Sequence, residues 1–118
     1  MLIMENLNRI HPVMQNRLYA MYSRLYDKKL PVRLIVFGST ITDFMHLKSD
    51  LDIAYVTPPE YRTEVYSTLV EGFFENEYSP IQNMDCFYLP KLPECKLRNE
   101  ILSKGVVLYD SLGGDVNL

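Results

Sequence analysis

Gly38, Ser39, Asp50, Asp52 and Asp85 are the residues of this chain whose types and spacing could do chemistry together. Four of them stand in VFGSTITDFMHLKSDLDIAYV (36–56) and the fifth in MDCFYL (84–89). Asp50 and Asp52 open an apolar run. In a strand, side chains at i and i+2 share a face, so the two carboxylates point one way while Leu51, Ile53 and Tyr55 point into the core. Two like charges so close repel unless a cation sits between them. Magnesium is the natural cation, a hard ion that takes carboxylate oxygens and keeps room for phosphate and water. Asp85 lies inside an apolar run, where an unpaired carboxylate is costly to bury. If its strand lies beside that of Asp52, three carboxylates converge and can hold one or two metal ions. Gly38 lets the backbone turn tightly against a ligand. A helix starting near Ser39 would present N–H groups to a phosphate. An antiparallel first strand would bring that turn beside the aspartates.

The elements that must position these residues are legible in the apolar pattern. His11-Pro12 suits a helix start, and Met14, Leu18, Met21, Tyr22 and Leu25 recur at helical spacing to about Asp27, with a short turn or helix over 2–10 before it. Leu30-Pro31 breaks the pattern. VRLIVF (32–37) and LDIAYV (51–56) read as strands, separated by a short helix or turn over 39–47 and a loop. After Pro58-Pro59 a helix carries a stripe of Val65, Tyr66, Leu69, Val70, Phe73 and Phe74, and Ser79-Pro80 ends that region. MDCFYL is the third strand, a last helix runs from about Glu94 to Lys104 with Gly105 as its cap, VVLYD (106–110) closes the sheet and the tail beyond it is loose. The fold class is α/β (α+β): a small mixed sheet of three to four strands flanked by helices, in one domain over 1–118 with its core at about 12–110. The helices are expected on one face, leaving the other for a site or a partner. Tyr19, Tyr22 and Tyr26 are expected in the core with Leu18 and Leu25, the alternative being a Tyr/Met surface for a homo-oligomer or partner.

Bulk composition narrows the function class. The net charge is −3, and no basic tail or stripe marks a protein that binds nucleic acid by neutralising phosphates. No apolar run is long enough to span a membrane, and MLIMENLNRI is no signal peptide, so a cytoplasmic protein is expected. Cys86 and Cys95 form no metal-ligand pattern, and Cys86 reads as a small core residue.

Taken singly, Gly-Ser is a common turn and Asp-x-Asp a common solvated strand start. The ordered set is rarer: strand, Gly-Ser, a ten-residue gap, Asp-x-Asp, strand, helix, strand with Asp. Through FGS (37–39), SDLDIA (49–54), MDCFYL (84–89) and the close ILSKGVVLYD, it resembles the nucleotidyltransferase superfamily that includes DNA polymerase β, and more narrowly the minimal nucleotidyltransferase (MNT) domains of prokaryotes. The resemblance implies the nucleotidyltransferase fold and transfer of a nucleoside monophosphate, AMP from ATP, to a hydroxyl of a macromolecular acceptor. It implies that Asp50, Asp52 and Asp85 are catalytic and hold magnesium, two ions in the expected arrangement. Asp85 would act on the metal-bound nucleophile or as general base toward the attacking hydroxyl, and Gly38 and Ser39 would hold the β/γ-phosphates. It further implies a HEPN-type RNase partner, with this chain as the antitoxin. Many minimal members follow Gly-Ser with arginine and glycine. Here Thr40-Ile41-Thr42-Asp43 stands instead, and Lys48 is either the replacement cation or an ordinary loop lysine. That departure supports the alternative, a catalytically inactive module of the same fold that acts by protein–protein binding. An unrelated small α/β domain with solvated acidic residues is the remaining reading.

Overall fold

The structure is a computed structural model and describes Ile10 and residues 12–38, 50–75 and 83–112. Ser39, Lys48, the expected turn at 39–47, the start at 2–9, the Ser79-Pro80 break and the tail from 113 lie outside the described residues.

Helix α1 (Pro12–Asp27) begins on its proline. Met14, Leu18, Met21 and Leu25 form one fully buried stripe along it, and each side chain so removed from water contributes about 1.5–3 kcal/mol. The helix ends in a paired closure. Leu30 N–H donates to the Leu25 carbonyl at 3.2 Å and Lys29 N–H to the Tyr26 carbonyl at 3.0 Å, with Lys29 in the left-handed region at φ 56. The chain is thereby turned into the sheet.

Four strands follow: β1 (Arg33–Val36), β2 (Leu51–Val56), β3 (Met84–Tyr88) and β4 (Val106–Asp110), in the order β3-β2-β1-β4. β1 runs antiparallel to both β2 and β4. β2 and β3 are parallel, which requires a crossover. Helix α2 (Arg62–Phe74), preceded by a 3-10 turn at Pro59–Tyr61, supplies it. Helix α3 (Lys96–Lys104) starts two residues later than the sequence suggests, because Cys95 at its N-cap is fully extended. It ends on Gly105, whose N–H donates to the Ile101 carbonyl at 2.9 Å.

The helices do not all lie on one face, as the sequence led us to expect. α1 and α2 cover the face of Leu34, Val36, Leu51, Ile53, Tyr55 and Leu108. On the other face Ile101 and Leu97 of α3 pack with Ile35, Phe37, Ala54 and Val56. α1 and α2 lie close together at Gly72, where a Cβ would stand 2.6 Å from Met21 Cα. Beside that crossing, buried Arg17 lies over the Phe73 ring at 4.0 Å and donates to the Phe73 carbonyl, a cation at a helix C-terminus.

The aromatic stripes also differ from expectation. Tyr19 and Tyr26 are 52% and 59% exposed, and Tyr66 and Phe74 are exposed as well. The buried stripe of α1 is complete at positions 14, 18, 21 and 25, so its tyrosines sit further round the helix. Tyr22 alone turns inward, edge-on to Tyr109 at 5.2 Å. Among the described residues no helix is long and apolar enough to cross a membrane.

Candidate active site

Strand β2 begins at Leu51, immediately after Asp50. Alternation sends Leu51, Ile53 and Tyr55 into the α1/α2 core, all of them buried. Asp52 therefore goes to the opposite face, with Ala54 and Val56. In the parallel pairing of β2 with β3, Asp52 stands opposite Asp85. Neighbouring strands are about 4.8 Å apart, so the two carboxyl groups meet on one face. Burial, and then Asp85, Asp50 and Glu100, push the half-buried Asp52 up to about 6 from 3.8.

Gly38 approaches this pair from β1. Val36 is opposite Ile53, and Phe37 N–H donates to the Asp52 carbonyl at 3.1 Å. The next residue, Gly38, is in the left-handed region at φ 67, and a Cβ there would lie 2.6 Å from Asp52 Oδ2. Glycine is thus required on two grounds: its backbone conformation, and the room the carboxylate needs. The antiparallel arrangement of the first two strands does what the sequence reading asked of it. It brings Gly38 against Asp52.

One premise is overturned. Asp85 is exposed, not buried within an apolar strand. Among the described strands β3 lies at an edge of the sheet, and Asp85 is only its second residue. The cost of burying a carboxylate therefore falls on Asp52 and not on Asp85. Glu100 of α3 is a further acidic side chain within electrostatic reach of Asp52. Sequence reasoning missed it, because nothing local shows that α3 packs on the face of Asp52.

The donor set suits a hard cation in part. Asp52 and Asp85 offer carboxylate oxygens side by side, and their mutual repulsion, with Asp50 adding to it, is what a divalent ion would relieve. Among the described residues no three His, Cys, Asp or Glu side chains are gathered closely enough to surround one ion. The carboxyl pair and Gly38 are brought together, Asp50 flanks them, and Ser39 and Lys48 lie outside the described residues.

Comparison with curated proteins gives no match. The family model described as the nucleotidyltransferase domain matches residues 22–108. The match runs from within α1 into β4 and so encloses Gly38, Asp50, Asp52 and Asp85. A mixed sheet with an acidic pair on paired strands, a glycine turn against it, and a family match over more than half of the chain lead to one conclusion: the chain belongs to the nucleotidyltransferase domain family, whose chemistry is nucleotidyl transfer.

Proposed function

We propose that this chain is a metal-dependent nucleotidyltransferase that moves AMP from ATP to a hydroxyl of a macromolecular acceptor. The observation that carries the reading is the placement of Asp52 opposite Asp85 with the Gly38 backbone against the Asp52 carboxylate. Asp52 and Asp85, with Asp50 flanking them, would supply carboxylate oxygens to magnesium, which when bound offsets the negative charge of the triphosphate and the carboxylates. Gly38, with Ser39, offers a close backbone surface to the β/γ-phosphates. Asp85, exposed at the strand edge, accepts the proton of the acceptor hydroxyl. The hydroxyl oxygen forms a bond to the α-phosphorus. The bond from that phosphorus to the bridging oxygen breaks, and pyrophosphate leaves with the electron pair. The resemblance to minimal nucleotidyltransferases supports a HEPN-type RNase as the acceptor's source. Asp43, where basic residues are expected, favours the second reading of an inactive binding module.

Calorimetric titration of ATP with magnesium into wild type and Asp50→Ala/Asp52→Ala tests the reading. Magnesium-dependent binding in wild type that is lost in the double variant is expected. No such binding in wild type refutes the enzyme and leaves the binding module.

A further inference from the structure

The two edges of the sheet are not alike. β4 is blunted by a register shift opposite Leu34/Ile35 and by the Arg33–Asp110 ion pair at 2.9 Å. β3 (MDCFY) keeps an uninterrupted register with β2 from Met84 to Tyr88 and contains neither proline nor lysine. Among the described residues no strand lies on its outer side. Leu51 N–H donates to the Asn83 carbonyl at 3.0 Å. In a parallel ladder the bonded residues alternate, so Asp85 and Phe87 turn their main-chain groups to β2, and Met84, Cys86 and Tyr88 turn theirs outward.

The two faces of this edge offer different chemistry. On one stands Asp85. On the other a cavity of about 280 Å³ is lined by Tyr55, Arg62, Thr63, Tyr66, Cys86 and Tyr88. The Arg62 guanidinium lies over the Tyr88 ring at 4.4 Å, and its N–H groups can donate to a carboxylate.

We propose that the acceptor is a polypeptide that docks in extended form as a fifth strand on β3, its hydroxyl residue level with Asp85 and an acidic side chain, an odd number of positions away, seated against Arg62. This rests on the transferase reading above and specifies how its acceptor is held. Strand addition matches the outward main-chain groups of Met84, Cys86 and Tyr88. Alternation along the added strand then sends one side chain to Asp85 and its neighbours to the cavity. A second copy of this chain fits less well. Antiparallel pairing of two β3 strands would set both Asp52–Asp85 pairs on one face, like charge near like charge. The transfer itself is balanced as written above: oxygen to phosphorus bond formed, phosphoanhydride broken, pyrophosphate released, proton to Asp85.

Octapeptides with a central Ser, Thr or Tyr and random flanks, incubated with the full chain, magnesium and ATP labelled in the α-phosphate, test the proposal. Labelled peptides are expected to be enriched in Asp or Glu one or three positions from the hydroxyl. Arg62→Glu should turn that enrichment toward Lys or Arg and lower transfer to acidic peptides about ten-fold relative to ATP binding, the loss of one charge-assisted hydrogen bond. Met84→Pro, which removes one outward N–H, should lower transfer in the same direction. Amide exchange at Met84, Cys86 and Tyr88 should slow when peptide is added. ATP binding with labelled peptides that show no such preference, or with unchanged exchange on β3, overturns the docking and leaves the transferase. Protection of the β3 amides that rises with protein concentration alone identifies a second copy and overturns it too. Failure of ATP to bind removes the transferase reading and this one with it.

Discussion

Asp52→Asn should make the metal-free protein more stable while abolishing transfer. Asp52 is pushed from 3.8 to about 6, first by burial and then by Asp85, Asp50 and Glu100. An acid held above its unfolded pKa binds its proton more tightly in the folded state. Between about pH 4 and about pH 6 the folded protein therefore carries more protons than the unfolded chain, and stability falls as pH rises through that window. Above it the penalty is complete; the rise from 3.8 to about 6 would be worth roughly 3 kcal/mol for a fully sequestered group, and solvent screening of the half-buried Asp52 reduces it to about 1–2 kcal/mol. Asparagine does not ionise and removes the penalty. In urea unfolding with chelator present, the midpoint of Asp52→Asn should exceed that of wild type by about 1–2 M at pH 8, and the two should converge near pH 4. A variant less stable than wild type at pH 8, or an equal gain at both pH values, would refute the assignment of a buried, crowded carboxylate to Asp52.

Three further outcomes are expected. Gly38→Ala forces an L-residue into φ 67 and puts a Cβ 2.6 Å from Asp52 Oδ2; it should cost about 1–2 kcal/mol in thermal or urea unfolding and reduce label transfer by more than that loss of folded protein accounts for. Gly72→Ala meets the Met21 backbone, which cannot rotate away, so its urea midpoint should report a loss of about 3 kcal/mol. Burial pushes the Cys86 thiol up to about 12, so iodoacetamide at pH 8 should label Cys95 first, with Cys86 reacting only after unfolding, as mass spectrometry of the two peptides would show.

The parts of this molecule that depend on local periodicity were readable in advance. The alternation of Leu51, Asp52, Ile53 and Tyr55 set the aspartate on one face and the apolar residues on the other, and the proline at 12 and the prolines at 58–59 marked helix starts. What depended on strand order was not readable. Asp85 was expected to be buried because its neighbours are apolar, yet among the described strands β3 lies at an edge, and being an edge is a property of the whole sheet. Glu100 beside Asp52, and α3 on the second face, have the same cause. Tyr19, Tyr26, Tyr66 and Phe74 fell within helical spacing of core residues but sit one step round the helix from a stripe already filled. Apolar character alone does not rank two adjacent stripes.

The position of β4 in the sheet has a consequence for how the chain is made. β1 lies between β2 and β4, and its Arg33 is joined to an Asp110 that is 77 residues further along. At roughly 5–20 residues per second, a ribosome needs about 4–15 s to cover that interval. Asp52, Asp85 and Gly38 have all been synthesised well before β4. During the wait, the Leu34-Ile35-Val36 edge has no outer neighbour from its own sheet and offers a short apolar template to any other nascent chain. A nascent chain arrested between residues 88 and 106 therefore already carries Gly38, Asp50, Asp52 and Asp85 and is a substrate for holding chaperones.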